Sequence, residues 1–209
     1  MSVTPWNGHA RDDEAGLTLI ELLVTMIIMG VISAVVTAGI ITSLTDQRRE
    51  RTRLDAVSSS QVVLERVSKD LRAANPLVAG DSSSVTVLVY HGTACRQRRY
   101  YVNASSQLVE ETASYPASAS CSTRSGTLGT ASSVVLLAKV ANASTDPVFS
   151  YRRIDPAQDA LVSVTAPVSA GLVQLVDSVT VSLKAGLKEN QAPVSVGTSV
   201  DLRNVERNS

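Results

Sequence analysis

The chain has 209 residues, with 19 basic and 19 acidic side chains, so its formal charge is zero and gives no argument for a polyanionic partner. Aromatic residues make up 3 %, too few for an aromatic-rich ligand cleft. The two histidines, His9 and His91, leave little for metal or acid–base chemistry, and the length allows one or two modest domains.

Residues 1–16, MSVTPWNGHARDDEAG, are polar, with one arginine and three acids, and lack the basic start of a standard secretory signal. From Leu17 to Thr45 the only charge is Glu21. As a helix rising 1.5 Å per residue, that run would reach about 43 Å. A hydrocarbon core needs about 20 residues, and the apolar part of an ordinary signal peptide has only about 7–15. The run is therefore expected to cross a membrane. A lone ionised acid at the centre of such a helix costs about 2.5–3.5 kcal/mol on insertion scales, so Glu21 calls for a partner. Arg48, Arg49, Arg51 and Arg53 follow the span and only Arg11 precedes it. That bias alone would leave the C-terminal side in the cytoplasm.

Gly16 followed by LTLIELLVTMIIMGVISAV closely resembles the N-terminal processing motif of type IV pilins and pseudopilins. Leu17 stands where the family usually has Phe, and the leader is more acidic than is usual there. The resemblance implies that prepilin peptidase cuts after Gly16 and methylates the new Leu17 amine. It implies that Glu21, at the fifth mature position, neutralises the N-terminal amine of a neighbouring subunit during assembly. It also implies an orientation opposite to the charge bias. The leader would lie in the cytoplasm and the remainder outside, first as a single-pass protein of the cytoplasmic membrane and later in a surface pilus or pseudopilus. Implied partners are other pilins or pseudopilins, the peptidase, the inner-membrane assembly platform, and membrane lipid before assembly. Gly30 matches a glycine common in these helices. Ala38, beside Gly39, stands where many members have proline, so a straighter helix is expected, with Gly30 and Gly39 as its points of flexibility.

The helix is expected to continue through residues 46–76. Val57, Ser60, Leu64, Val67, Leu71 and Ala74 recur at spacings of three and four, one apolar stripe of an amphipathic helix. Asn75–Pro76 should end it, because the residue before proline disfavours the α conformation. A helix from Leu17 to Asn75 would be about 88 Å long. The stretch LERVSKDLRAANPL resembles the helix end of J-type pseudopilins and W-type minor pilins.

Residues 77–209 read as a sheet domain. Residues 84–90 alternate, with Val85, Val87 and Val89 on one face. Residues 98–112 read as strand, turn and strand around 103–106. Further strands are expected at 134–140, 148–154 and 160–165, and a final hairpin at 178–184 and 198–204. The expected fold class is α+β, with a long N-terminal helix, transmembrane in its first half and amphipathic in its second. That second half packs on one C-terminal antiparallel sheet, which is the pilin fold. Residues 113–133 read as a long loop. If this part is exported, Cys95 and Cys121 are expected to form a disulfide worth roughly 3 kcal/mol; otherwise they are two reduced thiols.

No catalytic pattern is present: there is no H-E-x-x-H, C-x-x-C, phosphate-cradling glycine loop or G-x-S-x-G. No cofactor and no enzymatic activity are expected. The loop DPAQD, residues 155–159, offers two carboxylates to a cation or is an ordinary turn. The cluster RQRRYY contains Arg96, Arg98, Arg99, Tyr100 and Tyr101, which could bind phosphates and stack bases of DNA or meet a surface ligand. The same residues could instead alternate between solvent and core along a strand. Asn103 and Asn142 head N-glycosylation sequons. The expected role is a minor pilin or pseudopilin subunit. The rival is a secreted or membrane-anchored binding protein, an adhesin or DNA-binding module, released by signal peptidase after Val36-Thr37-Ala38.

Overall fold

The structure, a computed structural model, describes residues 18–91, 94–116, 121, 127–187 and 191–202. Helix α1 (Leu19–Ala73) leads into strands β1 (Ala74–Gly80), β2 (Ser84–His91), β3 (Ala94–Val102), β4 (Leu108–Ser114) and β5 (Ser132–Leu137). There follow β6 (Phe149–Asp155), β7 (Ala160–Val164), the short helix α2 (Ala170–Val173), β8 (Ser178–Ala185) and β9 (Val194–Asp201). The architecture is α+β, as expected. The chain divides into two compact units between Arg49 and Glu50.

In the first unit every described residue from Thr18 to Arg49 is exposed. Helix α1 contains an 18-residue window of mean hydropathy 2.6, none of it buried, and is long and apolar enough to cross a membrane. Its threonines need no outside partner. The hydroxyls of Thr25, Thr37, Thr42 and Thr45 donate to the carbonyls of Leu22, Ser33, Ala38 and Ile41 at 2.7–3.0 Å. Apolar surface of this extent calls for lipid or protein to cover it.

In the second unit Val63, Leu64, Val67 and Leu71 bury the stripe read from the sequence. Helix α1 ends at Ala73, ahead of Asn75–Pro76, and the chain turns directly into a strand that the sequence reading did not anticipate. That strand, β1, lies at the edge of its sheet. There the missing amide of proline breaks no inner ladder, and the pairing with β2 slips between Ala74 and Leu77.

Two sheets replace the single sheet expected. Strands β1 to β5 form an antiparallel meander in sequence order, and the second sheet has the order β7-β6-β8-β9. The switch comes just after Leu137. Val140 bridges to Ala185, while Asn142 donates to the Ser182 carbonyl at 3.0 Å and accepts from the Lys184 amide at 2.8 Å. Having left the first sheet, the chain thus attaches to β8, and Pro147 precedes its entry into β6. One core joins α1, Val85, Val87 and Leu108 of the first sheet, and Phe149, Val179, Val181 and Leu183 of the second. The last strand occupies Val194–Asp201, beginning four residues before the expected start at 198, and residues 203–204 of that expectation lie outside the described residues. Its alternating V-S-V-G-T-S-V-D pattern pairs with β8 from Ala185↔Val194 to Ser178↔Asp201.

Cys95 and Cys121 form a disulfide, buried with Leu88 on the face of the first sheet away from the main core. This explains why β2 buries Leu88 as well as Val85, Val87 and Val89. Gly80 allows the two sheets to approach. The Tyr151 hydroxyl donates to the carbonyls of Asp81 and Ser84 at 3.0 Å, and a Cβ at Gly80 would lie 2.6 Å from the Tyr151 ring. Gly80→Ala is therefore expected to lower stability by about 1–3 kcal/mol. Chemical denaturation of the detergent-solubilised chain measures this, and an unchanged midpoint would show that the ring moves aside freely.

Candidate functional site

The first site is the start of α1. Thr18 precedes the helix, and its hydroxyl accepts from the Glu21 amide at 3.4 Å while its carbonyl accepts from the same amide at 3.0 Å. Glu21 is the acid of the first turn, where the helix dipole favours negative charge. Threonine ahead of the helix and glutamate three residues later match the capping-box pattern. The sequence reading missed Thr18, although T-x-x-E before an apolar run signals it. Among the described residues no hydrogen bond or ion pair reaches the Glu21 carboxylate. Gly16 and Leu17 lie outside the described residues. A side chain at Gly30 or Gly39 would meet open space, so no packing within the chain requires glycine there.

The second site is the arginine–tyrosine cluster on β3, and the structure corrects the idea of one exposed patch. Strand alternation sends its members to opposite faces. Arg98 and Tyr100 point toward α1, where both donate to Asp70 Oδ2. Tyr100 is fully buried. On the same face Arg66 of α1 holds Glu110 of β4 through Nε–Oε2 at 2.6 Å and Nη2–Oε1 at 3.0 Å. Arg98 Nη1 lies 3.9 Å from Glu110 Oε1, and the Thr112 hydroxyl donates to the same oxygen at 3.3 Å. Arg96 shares the parity of Arg98 and is half-buried. On the other face are Arg99, exposed, and Tyr101, half-buried, with the guanidinium 4.7 Å from the ring centroid. A phosphate-binding surface built from all five residues does not exist.

Two other candidates are turn devices. Asp155 Oδ1 accepts from the Ala157 amide at 3.0 Å at the tip of the β6–β7 hairpin, and Asp159 has φ 46°. The Asn103 side chain accepts from the amides of Ser105 and Gln107 in the β3–β4 turn. Both sequon asparagines thus use their amide groups within the fold. Among the described residues no group of three His, Cys, Asp or Glu could hold a metal.

Residues 11–37 match the family described as the prokaryotic N-terminal methylation motif. The chain carries the type IV prepilin signature. No curated protein and no solved structure matches it. The matched residues include Gly16, Leu17, Thr18, Glu21 and the first part of the apolar helix, and the sheets lie beyond them. Residues missed by the sequence reading are Asp70 and Glu110, which look like ordinary surface acids in sequence. Only their placement opposite Arg98 and Arg66 makes them buried partners.

The phenol of Tyr100 is held well above its ordinary 10.0, chiefly by burial and then by the hydrogen bond and charge of Asp70. Burial raises Tyr151 in the same direction. Below about pH 9 the phenols are neutral in folded and unfolded chains alike, so they add no pH dependence. Above it the unfolded chain releases protons that the folded chain keeps, and stability falls as pH rises. The melting temperature is expected to drop between pH 9 and pH 11, with a smaller drop for Tyr100→Phe. A flat profile would show that these rings are accessible to solvent.

Proposed function

We propose that the chain is a minor pilin or pseudopilin, nearest to the W and J types, that joins a type IV pilus or related secretion or competence pseudopilus. The observation that carries this reading is the prepilin motif at the head of a helix whose apolar first half is wholly exposed among the described residues. Residues 1–16 are the leader, cut after Gly16 and followed by methylation of Leu17. Residues 17–45 span the membrane and then enter the filament core, while 46–76 and 77–209 carry the helix end and the sheets. Glu21, capped by Thr18, meets the methylated amine of an adjacent subunit. Gly30 and Gly39 allow neighbouring helices to approach or local turns to bend.

The disulfide supports an extracytoplasmic sheet domain, because such bonds persist in oxidising compartments. It weighs against the orientation favoured by Arg48, Arg49, Arg51 and Arg53. The rival cleavage after Ala38 falls within the uninterrupted α1, where Thr37 is bonded back to Ser33. The subunit acts with other pilins and the inner-membrane assembly platform, in initiation or at the tip, and is a substrate of prepilin peptidase.

Intact mass of the envelope-associated protein separates the two readings. A chain beginning at N-methylated Leu17 is expected, and one beginning at Gly39 would establish the rival. Gly16→Val is expected to retain the leader and block assembly, so processed protein in sheared filaments would refute the cleavage site. Glu21→Ala is expected to insert in the membrane but to be depleted from filaments, as read by immunoblotting of the sheared fraction. Undiminished recovery there would remove the role of the carboxylate.

A further inference from the structure

The apolar stripe that seats the end of α1 nearly repeats itself along the helix. Val63, Val67 and Leu71 are all buried and recur every four residues, about one turn. Ser60, Leu64 and Ser68 form a second buried row with the same spacing. Sliding the helix by four residues, about 6 Å, would put Val63 where Val67 lies and Val67 where Leu71 lies. Exchanges between similar apolar side chains are among the best tolerated in a core, so the row of Val63, Val67 and Leu71 discriminates poorly between the two positions, whereas the second row would exchange serine and leucine sites.

The charges on the same face do discriminate. Arg66 and Asp70 are also four residues apart and opposite in sign, and each faces its complement: Glu110 on β4 for Arg66, and Arg98 on β3 for Asp70. Sliding one way brings Asp70 to Glu110, acid against acid. Sliding the other way brings Arg66 to Arg98, base against base. Glu110 is 4 % exposed and Asp70 is 8 % exposed, so water can do little to screen either mismatch. Tyr100 sharpens the choice, because its hydroxyl donates to Asp70 and has no use for a cation in that place.

We propose that Arg66, Asp70, Arg98 and Glu110 form an axial key that fixes which turn of α1 lies over β3 and β4. Hydrophobic burial holds residues 60–71 against the sheets, and the key, together with the row of Ser60, Leu64 and Ser68, selects one position along the helix axis. A pull along this part of the helix therefore meets two ion pairs, each with a buried carboxylate, that must break together. The key acts whether or not the chain joins a filament.

The test uses the full chain in detergent, with a short thiol cross-linker and the native disulfide intact. Arg66→Cys with Glu110→Cys joins the native position and is expected to cross-link. Val62→Cys with Glu110→Cys joins only a helix displaced by one turn. It is expected to stay unlinked while Asp70 and Arg98 hold, and to link once Arg98→Met is added. If that triple variant folds and stays unlinked, something other than the charges sets the position and the proposal fails. An independent readout is the exchange Arg66→Asp with Asp70→Arg, which leaves composition and net charge unchanged. It is expected to raise the unfolding constant roughly a hundredfold. Adding Arg98→Glu with Glu110→Arg should recover most of that loss. Parental stability for the helix exchange alone would overturn the key.

Discussion

Among the described residues, the first half of α1 buries none of its side chains. From Thr18 to Arg49 all side chains are exposed, and the large apolar ones run from Leu19 to Leu44 without a buried member. Water is a poor solvent for such a surface, so its stable surroundings must come from outside, as lipid or as other helices. This constraint organises the rest of the molecule. The threonines of the run close their hydrogen bonds within the helix, leaving Glu21 as the one charge whose needs the helix does not meet by itself. A carboxylate in the first turn, beneath a threonine cap, is placed to receive a cation at the helix start.

With that half of the helix committed elsewhere, the remaining chain must make a core from Glu50 onward. It does so with few aromatic residues. Phe149, Tyr100 and Tyr151 are the large buried rings, and valine supplies much of the rest. Valine-rich strands pack tightly but leave little polar specificity. Here that specificity comes from a small set of buried polar contacts. Tyr151 ties β6 to the β1–β2 turn, Asn142 ties the chain leaving the first sheet to β8, and the two ion pairs under α1 orient the helix. The disulfide closes a second, smaller core around Leu88, so that the first sheet has buried residues on both faces.

The sequence pattern identified the elements better than their assembly. Val85, Val87 and Val89 alternate as read, and the stripe on α1 is buried where the spacing put it. The first strand was hidden because Asn75–Pro76 reads as a helix stop followed by a loop, and only an edge position tolerates proline in a strand. The last strand was placed too late because Pro193 and Gly197 obscure an alternation that begins at Val194. The number of sheets was not legible either. Nothing in the residues after Leu137 states that the chain will leave β5 and attach to β8, since that depends on an edge made available by strands some forty residues further on.

The N-terminal reading was legible because its physics is local. An apolar run longer than a bilayer, one acid near its start and a small residue before it all lie within a few turns of one another. The arginine–tyrosine cluster is the opposite case. Composition alone makes Arg96 to Tyr101 look like an anion-binding surface. Strand pleating divides it, and Asp70, nearly thirty residues away in sequence, claims Arg98 and Tyr100 for the interior. Sequence determines which side chains alternate and which repeat each turn. Which of those faces is covered, and by what charge, is decided only when distant elements meet, because burial and ion pairing depend on neighbours that the local pattern does not contain.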